Sequence, residues 1–86
     1  MGAPKRKPQV RNDAFCQAFG LHVRKIREQK GLSMRELAAI LDVEYNQVYR
    51  IETGKINTSI SMVHALAEGL DVSVQDLFAF KMAAKR

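Results

Sequence analysis

Apolar residues along the chain fall into short sets at helical spacing, each closed by a residue suited to a turn. Starting at Asn12 or Asp13, Phe15, Phe19, Val23 and Ile26 recur at steps of four, four and three, which predicts a first helix stopped by Gly31. Ser33-Met34-Arg35-Glu36 has the spacing of a capping box, in which the serine accepts from a backbone N–H and the glutamate reaches back. A second helix then runs to about Leu41, burying Leu37, Ala38 and Leu41. Asp42-Val43-Glu44 reads as a turn, and a third helix runs from about Tyr45 to Thr53, closed by Gly54. After a polar loop from Lys55 to Thr58, Ser59 is placed to cap a fourth helix with Ile60, Val63, Leu66, Ala67 and Leu70 on its apolar face. Ser73-Val74-Gln75-Asp76 is a second capping box and opens a short fifth helix through Leu77 and Phe78. With no strand alternation and no internal repeat, the pattern predicts an all-α fold, a compact five-helix bundle. Residues 13–80 form its folded domain, 1–12 a flexible basic arm and 81–86 a short basic tail.

The third helix is unusual in its balance. Tyr45, Asn46, Gln47, Tyr49 and Arg50 surround only two residues of buried type, Val48 and Ile51. A thin apolar stripe anchors such a helix, and the rest of its surface is free to present hydrogen-bonding side chains. Two short amphipathic helices across a tight turn, the second so equipped, form a helix-turn-helix, the unit that places a helix in the major groove of DNA.

Composition narrows the alternatives. In 86 residues, 47% hydrophobic and 27% charged, there is room for one small domain of ordinary globular character. No apolar run approaches the ~20 residues needed to span a bilayer, and the N-terminus has no secretory signal, so the cytoplasm is expected. Cys16 is the only cysteine, and with His22 and His64 it makes no familiar metal-ligand spacing; no metal and no cofactor are expected. The net charge of +5 is uneven: residues 1–30 carry +6, 31–70 carry −2 and 71–86 carry +1. The basicity therefore lies in the arm and first helix, not in the reading unit. A basic total suits nucleic acid, and an arm of solvated charge gives the same sum.

From Phe19 to Phe78 the chain resembles the phage-repressor and Cro-like helix-turn-helix proteins, the XRE family. The matching residues are Phe19-Gly20, Val23-Arg24, Ile26-Arg27, Gly31-Leu32-Ser33, Glu36-Leu37-Ala38, Leu41, Val43, Val48, Arg50-Ile51-Glu52, Gly54-Lys55, Asn57, Ser59, Leu66-Ala67, Leu70, Val72-Ser73 and Leu77-Phe78. The resemblance implies a five-helix domain that binds double-stranded DNA, usually as a homodimer on a palindromic operator, with the third helix in the major groove. It places base reading on Tyr45, Asn46 and Arg50, flanked by Gln47 and Tyr49, and an ion pair of structural role between Arg27 and Glu52. Three positions depart from the pattern. Met34 stands where many relatives carry a phosphate-clamping glutamine, beside Arg35 as a replacement. Glu44 opens the third helix where a better cap is usual, and Asp42 occupies a turn position where glycine is usual.

The side chains suit those places. The amides of Asn46 and Gln47 match adenine N6 and N7, and the Arg50 fork matches guanine O6 and N7 one turn along from Asn46. Tyr45 can meet a thymine methyl or a phosphate. Arg35, Lys55, Asn57, Thr58 and Ser59 are phosphate candidates at the starts of helices two and four and in the loop between helices three and four. Lys5, Arg6, Lys7 and Arg11 either follow the DNA backbone or serve as a solubilising leader. Leu77, Phe80 and Met82 are candidates for the dimer interface, or else fold back on their own core. The leading function is sequence-specific regulation of transcription by a dimeric repressor or controller protein, nucleoid-associated when bound. The alternative is an antitoxin or bridging module that binds a protein partner. An enzyme is not expected, because no acid pair, nucleophile–base set or phosphate-binding glycine loop is present.

Overall fold

The computed structural model describes residues 10–82. Five helices follow one another in the predicted order: α1 (Asp13–Gln29), α2 (Met34–Leu41), α3 (Tyr45–Glu52), α4 (Ile60–Leu70) and α5 (Val74–Leu77). Among the described residues there is no strand. Four helices start on a side-chain cap. Asn12 accepts from the Phe15 N–H, Ser33 from Glu36, Ser59 from Met62 and Ser73 from Asp76, each at 3.0 Å. Glu36 and Asp76 close their capping boxes by accepting from the Ser33 and Ser73 N–H groups. Each such cap stabilises by about 1 kcal/mol. Glu44 opens α3 with no side-chain cap, as its chemistry predicts.

The first four helices also end alike. Gly31, Asp42, Gly54 and Asp71 adopt left-handed conformations with φ of 73, 58, 72 and 57°. The following N–H then reaches back five residues: Leu32 to Arg27, Val43 to Ala38, Lys55 to Arg50 and Val72 to Ala67. That bond satisfies a carbonyl that the helix leaves unpaired. Leu32, Val43 and Val72 then turn inward against the core. At Asp42 and Asp71 a short polar side chain tolerates what otherwise favours glycine.

The core takes Phe19, Val23 and Ile26 from α1, Leu37 and Ala38 from α2, and Val48 and Ile51 from α3. Leu66, Ala67 and Leu70 from α4 and Leu77 from α5 complete it. Two predicted core positions lie elsewhere. Phe15 is half-exposed and Ile60 is 88% exposed, because the first turns of α1 and α4 overhang the edge of the core while keeping its spacing.

Two glycines set how α3 is held. A Cβ on Gly20 would collide with the carbonyl oxygens of Ile51 and Glu52, so the backbone of α1 touches the C-terminal end of α3 directly. Gly54 combines its left-handed backbone with a Cβ direction that meets the Gln17 Cα at 2.6 Å. The end of α3 is thereby seated on α1, and its opposite face is left free.

Candidate nucleic-acid interface

Val48, Ile51 and Glu52 are the buried residues of α3. Tyr45, Asn46, Tyr49 and Arg50 are exposed and Gln47 is half-buried at the edge of the stripe. The structure therefore brings four of the five predicted base-reading residues onto open surface and sets Gln47 partly aside. Asn46 and Arg50, and likewise Tyr45 and Tyr49, stand one helical turn apart. The Thr53 hydroxyl donates to the Tyr49 carbonyl at 2.7 Å and satisfies the end of the helix.

Behind this face Glu52 is buried with its partner. Arg27 Nε donates to Glu52 Oε2 at 2.6 Å and Nη2 to Oε1 at 3.0 Å, while Nη1 donates to the Leu32 carbonyl at 2.8 Å. The two residues are only 7% and 5% exposed. Hydrogen bonding to Glu52 raises the Arg27 guanidinium above its ordinary value, against the lowering effect of burial. A two-pronged pair of this kind fixes the orientation of α3 on α1 and of the loop before α2.

The predicted phosphate contacts lie along the chain on both sides of the reading helix. Lys55, Asn57 and Ser59 are exposed and Thr58 is half-buried. The Ser59 oxygen is already the acceptor at the cap of α4, which leaves its hydroxyl hydrogen able to donate outward. Arg35, in the first turn of α2, is exposed, and its guanidinium carbon lies 5.2 Å from the centre of the Tyr45 ring. Arg11 donates to Asp13 at 2.7 Å and to the Lys55 carbonyl at 3.2 Å, which ties the start of α1 to the loop after α3. Lys5, Arg6 and Lys7 lie outside the described residues.

The expected dimer interface needs correction at one position. Leu77 is fully buried in the core and unavailable to a second chain. Phe80 is half-buried, its ring centre 5.5 Å from that of Phe15 and 5.6 Å from that of His22. His22 Nε2 donates to the Asp76 carbonyl at 2.8 Å. The segment after α5 is thus stapled back onto α1 by aromatic packing and one hydrogen bond, and of the three interface candidates only Met82 is exposed. The apolar surface left uncovered is elsewhere. An apolar groove of about 200 Å³ is lined by Phe15, Cys16, Phe19, Ile56, Val63 and Phe78, with Ile60 at its rim. Spacing in the sequence placed Phe15 and Ile60 in helical stripes, but a stripe does not tell core from rim.

The helix-turn-helix family model matches residues 23–77. The chain belongs to the helix-turn-helix family. Its members of the Cro-like, XRE type are DNA-binding regulators of transcription, not enzymes. The chain is 32% identical over 62 residues to control protein C.MunI of a Mycoplasma species, covering 71% of this chain and 84% of that protein. Among solved structures it resembles the restriction-modification controller protein C.AhdI from Aeromonas hydrophila, with a TM-score of 0.74 and 34% identity over 76% of this chain and 98% of that one. The clp gene regulator ClgR from C. glutamicum superposes with a TM-score of 0.72 at 26% identity, over 84% of this chain and 87% of that one. Among the described residues no helix is long and apolar enough to cross a membrane.

Proposed function

We propose that this helix-turn-helix protein is a sequence-specific regulator of transcription that binds a palindromic operator as a homodimer, acting as a controller protein or repressor on DNA in the cytoplasm. The observation that carries the reading is the exposed face of α3, with Asn46 and Arg50 one turn apart on a helix seated firmly from behind. Asn46 reads an adenine edge and Arg50 a guanine edge in the major groove, with Tyr49 beside them. Lys55, Asn57, Thr58 and Ser59 hold the phosphates that fix register. The likeness to a control protein and to a restriction-modification controller protein supports the controller reading. Selection from a randomised duplex pool at near-physiological salt tests this. Two related half-sites with centres about one helical turn apart are expected. Retention without a motif, or none, would move the function toward binding a protein partner.

The dimer is proposed to form across the groove bounded by Phe15, Ile60 and Phe78. A two-fold interface is self-complementary, and here a projecting isoleucine stands at the rim of an apolar groove of suitable size. Seating each Ile60 in the partner's groove removes its side chain from water, a gain of about 1.5–3 kcal/mol per copy. Ile60→Asp is expected to yield a folded monomer by sedimentation equilibrium. A persistent dimer would return the interface to Met82 and the exposed edge of Phe80.

A further inference from the structure

The contact between Arg35 and Tyr45 joins the two halves of the helix-turn-helix. Arg35 is the second residue of α2 and Tyr45 the first of α3. A guanidinium within about 6 Å of a ring centre is drawn to the negative face of the ring. At 5.2 Å this one is in range. Asp42 and Glu44 border the same shallow cleft. Nevertheless, among the described residues the ion pairs join other groups and leave Arg35 resting on the ring. A guanidinium held over a ring by its charge keeps its N–H donors uncommitted. The positive charge also stands in the first turn of α2, where the helix dipole disfavours a cation and favours an anion. An arriving anion reverses that penalty, since it meets the fork and the dipole together.

We propose that Arg35 and Tyr45 act as one phosphate-gripping unit, in which Arg35 donates to a DNA backbone phosphate and Tyr45 is the positioning residue that holds the fork across the turn. The proposal deepens the DNA-binding reading above and rests on it. Tyr45 then contributes to affinity on every sequence alike, and base choice falls to Asn46, Tyr49 and Arg50. The unit also registers α2 and α3 against one DNA strand, because its two members come from different helices.

A double-substitution cycle on the selected operator duplex tests this, with log affinity followed against log salt. Arg35→Ala is expected to flatten the slope by about 0.9 per half-site, the change for one lost phosphate contact. Tyr45→Ala is expected to weaken binding about two- to fivefold, the scale of an exposed cation–π contact, equally on all single-base variants of the duplex. Tyr45→Phe keeps the ring face and should retain wild-type binding. The double substitution should bind no worse than Arg35→Ala alone. If Tyr45→Ala changes base preference, or the two losses simply add, the unit does not exist. A wild-type protein that shows no salt-dependent duplex binding would overturn the regulator reading and this one with it. Wild-type binding with additive losses overturns this one alone.

Discussion

Arg27→Ala is expected to destabilise the folded protein by about 3–5 kcal/mol, the cost of leaving a buried charge without its partner. Glu52 would remain 5% exposed with neither of its guanidinium donors, and the Leu32 carbonyl would lose its donor as well. Small domains hold about 5–15 kcal/mol in total, so the variant stands near the edge of folding. At about 4–8 °C per kcal/mol for a domain of this size, thermal unfolding by circular dichroism should show Tm lower by more than about 12 °C. Replacing both partners, Arg27→Met with Glu52→Leu, should recover most of the loss, because no charge is then stranded. A single variant that melts with the wild type would show that the pair contributes nothing to the seat of α3. The pH sign follows from the direction of the shift. A guanidinium raised by its hydrogen bonds keeps its stabilising charge below its ordinary value and loses it only as pH climbs through the higher folded value. Its half of the pair is therefore fully charged at neutral pH.

Arg50→Ala is expected to act on the opposite side of α3 and leave stability unchanged, since the residue is exposed and holds no other element. A bidentate contact from arginine to guanine discriminates by about 1–3 kcal/mol, and a dimer makes it twice. Binding to the selected operator should fall by about 1–3 kcal/mol per half-site, with preference relaxed at one base pair in each. The slope against salt should stay as in the wild type, because no phosphate contact is lost. The reverse result, a flatter slope with base preference intact, would make Arg50 a phosphate contact and leave base reading to Asn46 and Tyr49. The two substitutions thus separate the seat of the reading helix from its chemistry.

The helix boundaries were legible because they are local. Caps at Asn12, Ser33, Ser59 and Ser73 act within three residues of themselves, and left-handed stops at Gly31, Asp42 and Gly54 within five. The left-handed stop at Asp71 emerged only in the structure, although it repeats the pattern at Asp42, an aspartate after an apolar stripe and before a valine. The exposed chemistry of α3 was legible for a related reason. Its apolar stripe is too thin to bury more than one face, whatever it packs against.

Periodicity alone misled at the ends of the stripes. Phe15, Ile60 and Leu77 all stand at helical spacing, yet one is half-exposed, one open and one fully buried. The difference arises where α1 and α4 outrun the core and where the short α5 folds under. Phe80 reads as spare apolar surface until the chain after α5 is seen to return to Phe15 and His22.

By itself, then, the sequence determined five helices, their caps and most of their stops, the order of the helix-turn-helix and the polar character of its reading face. Each depends on contacts between near neighbours along the chain. Tertiary structure decided which apolar residues became core and which became rim, that Gly20 lets α1 touch the end of α3, and that Arg35 lies over Tyr45. These depend on where distant segments meet, and the same local pattern is compatible with several such meetings until close packing selects one.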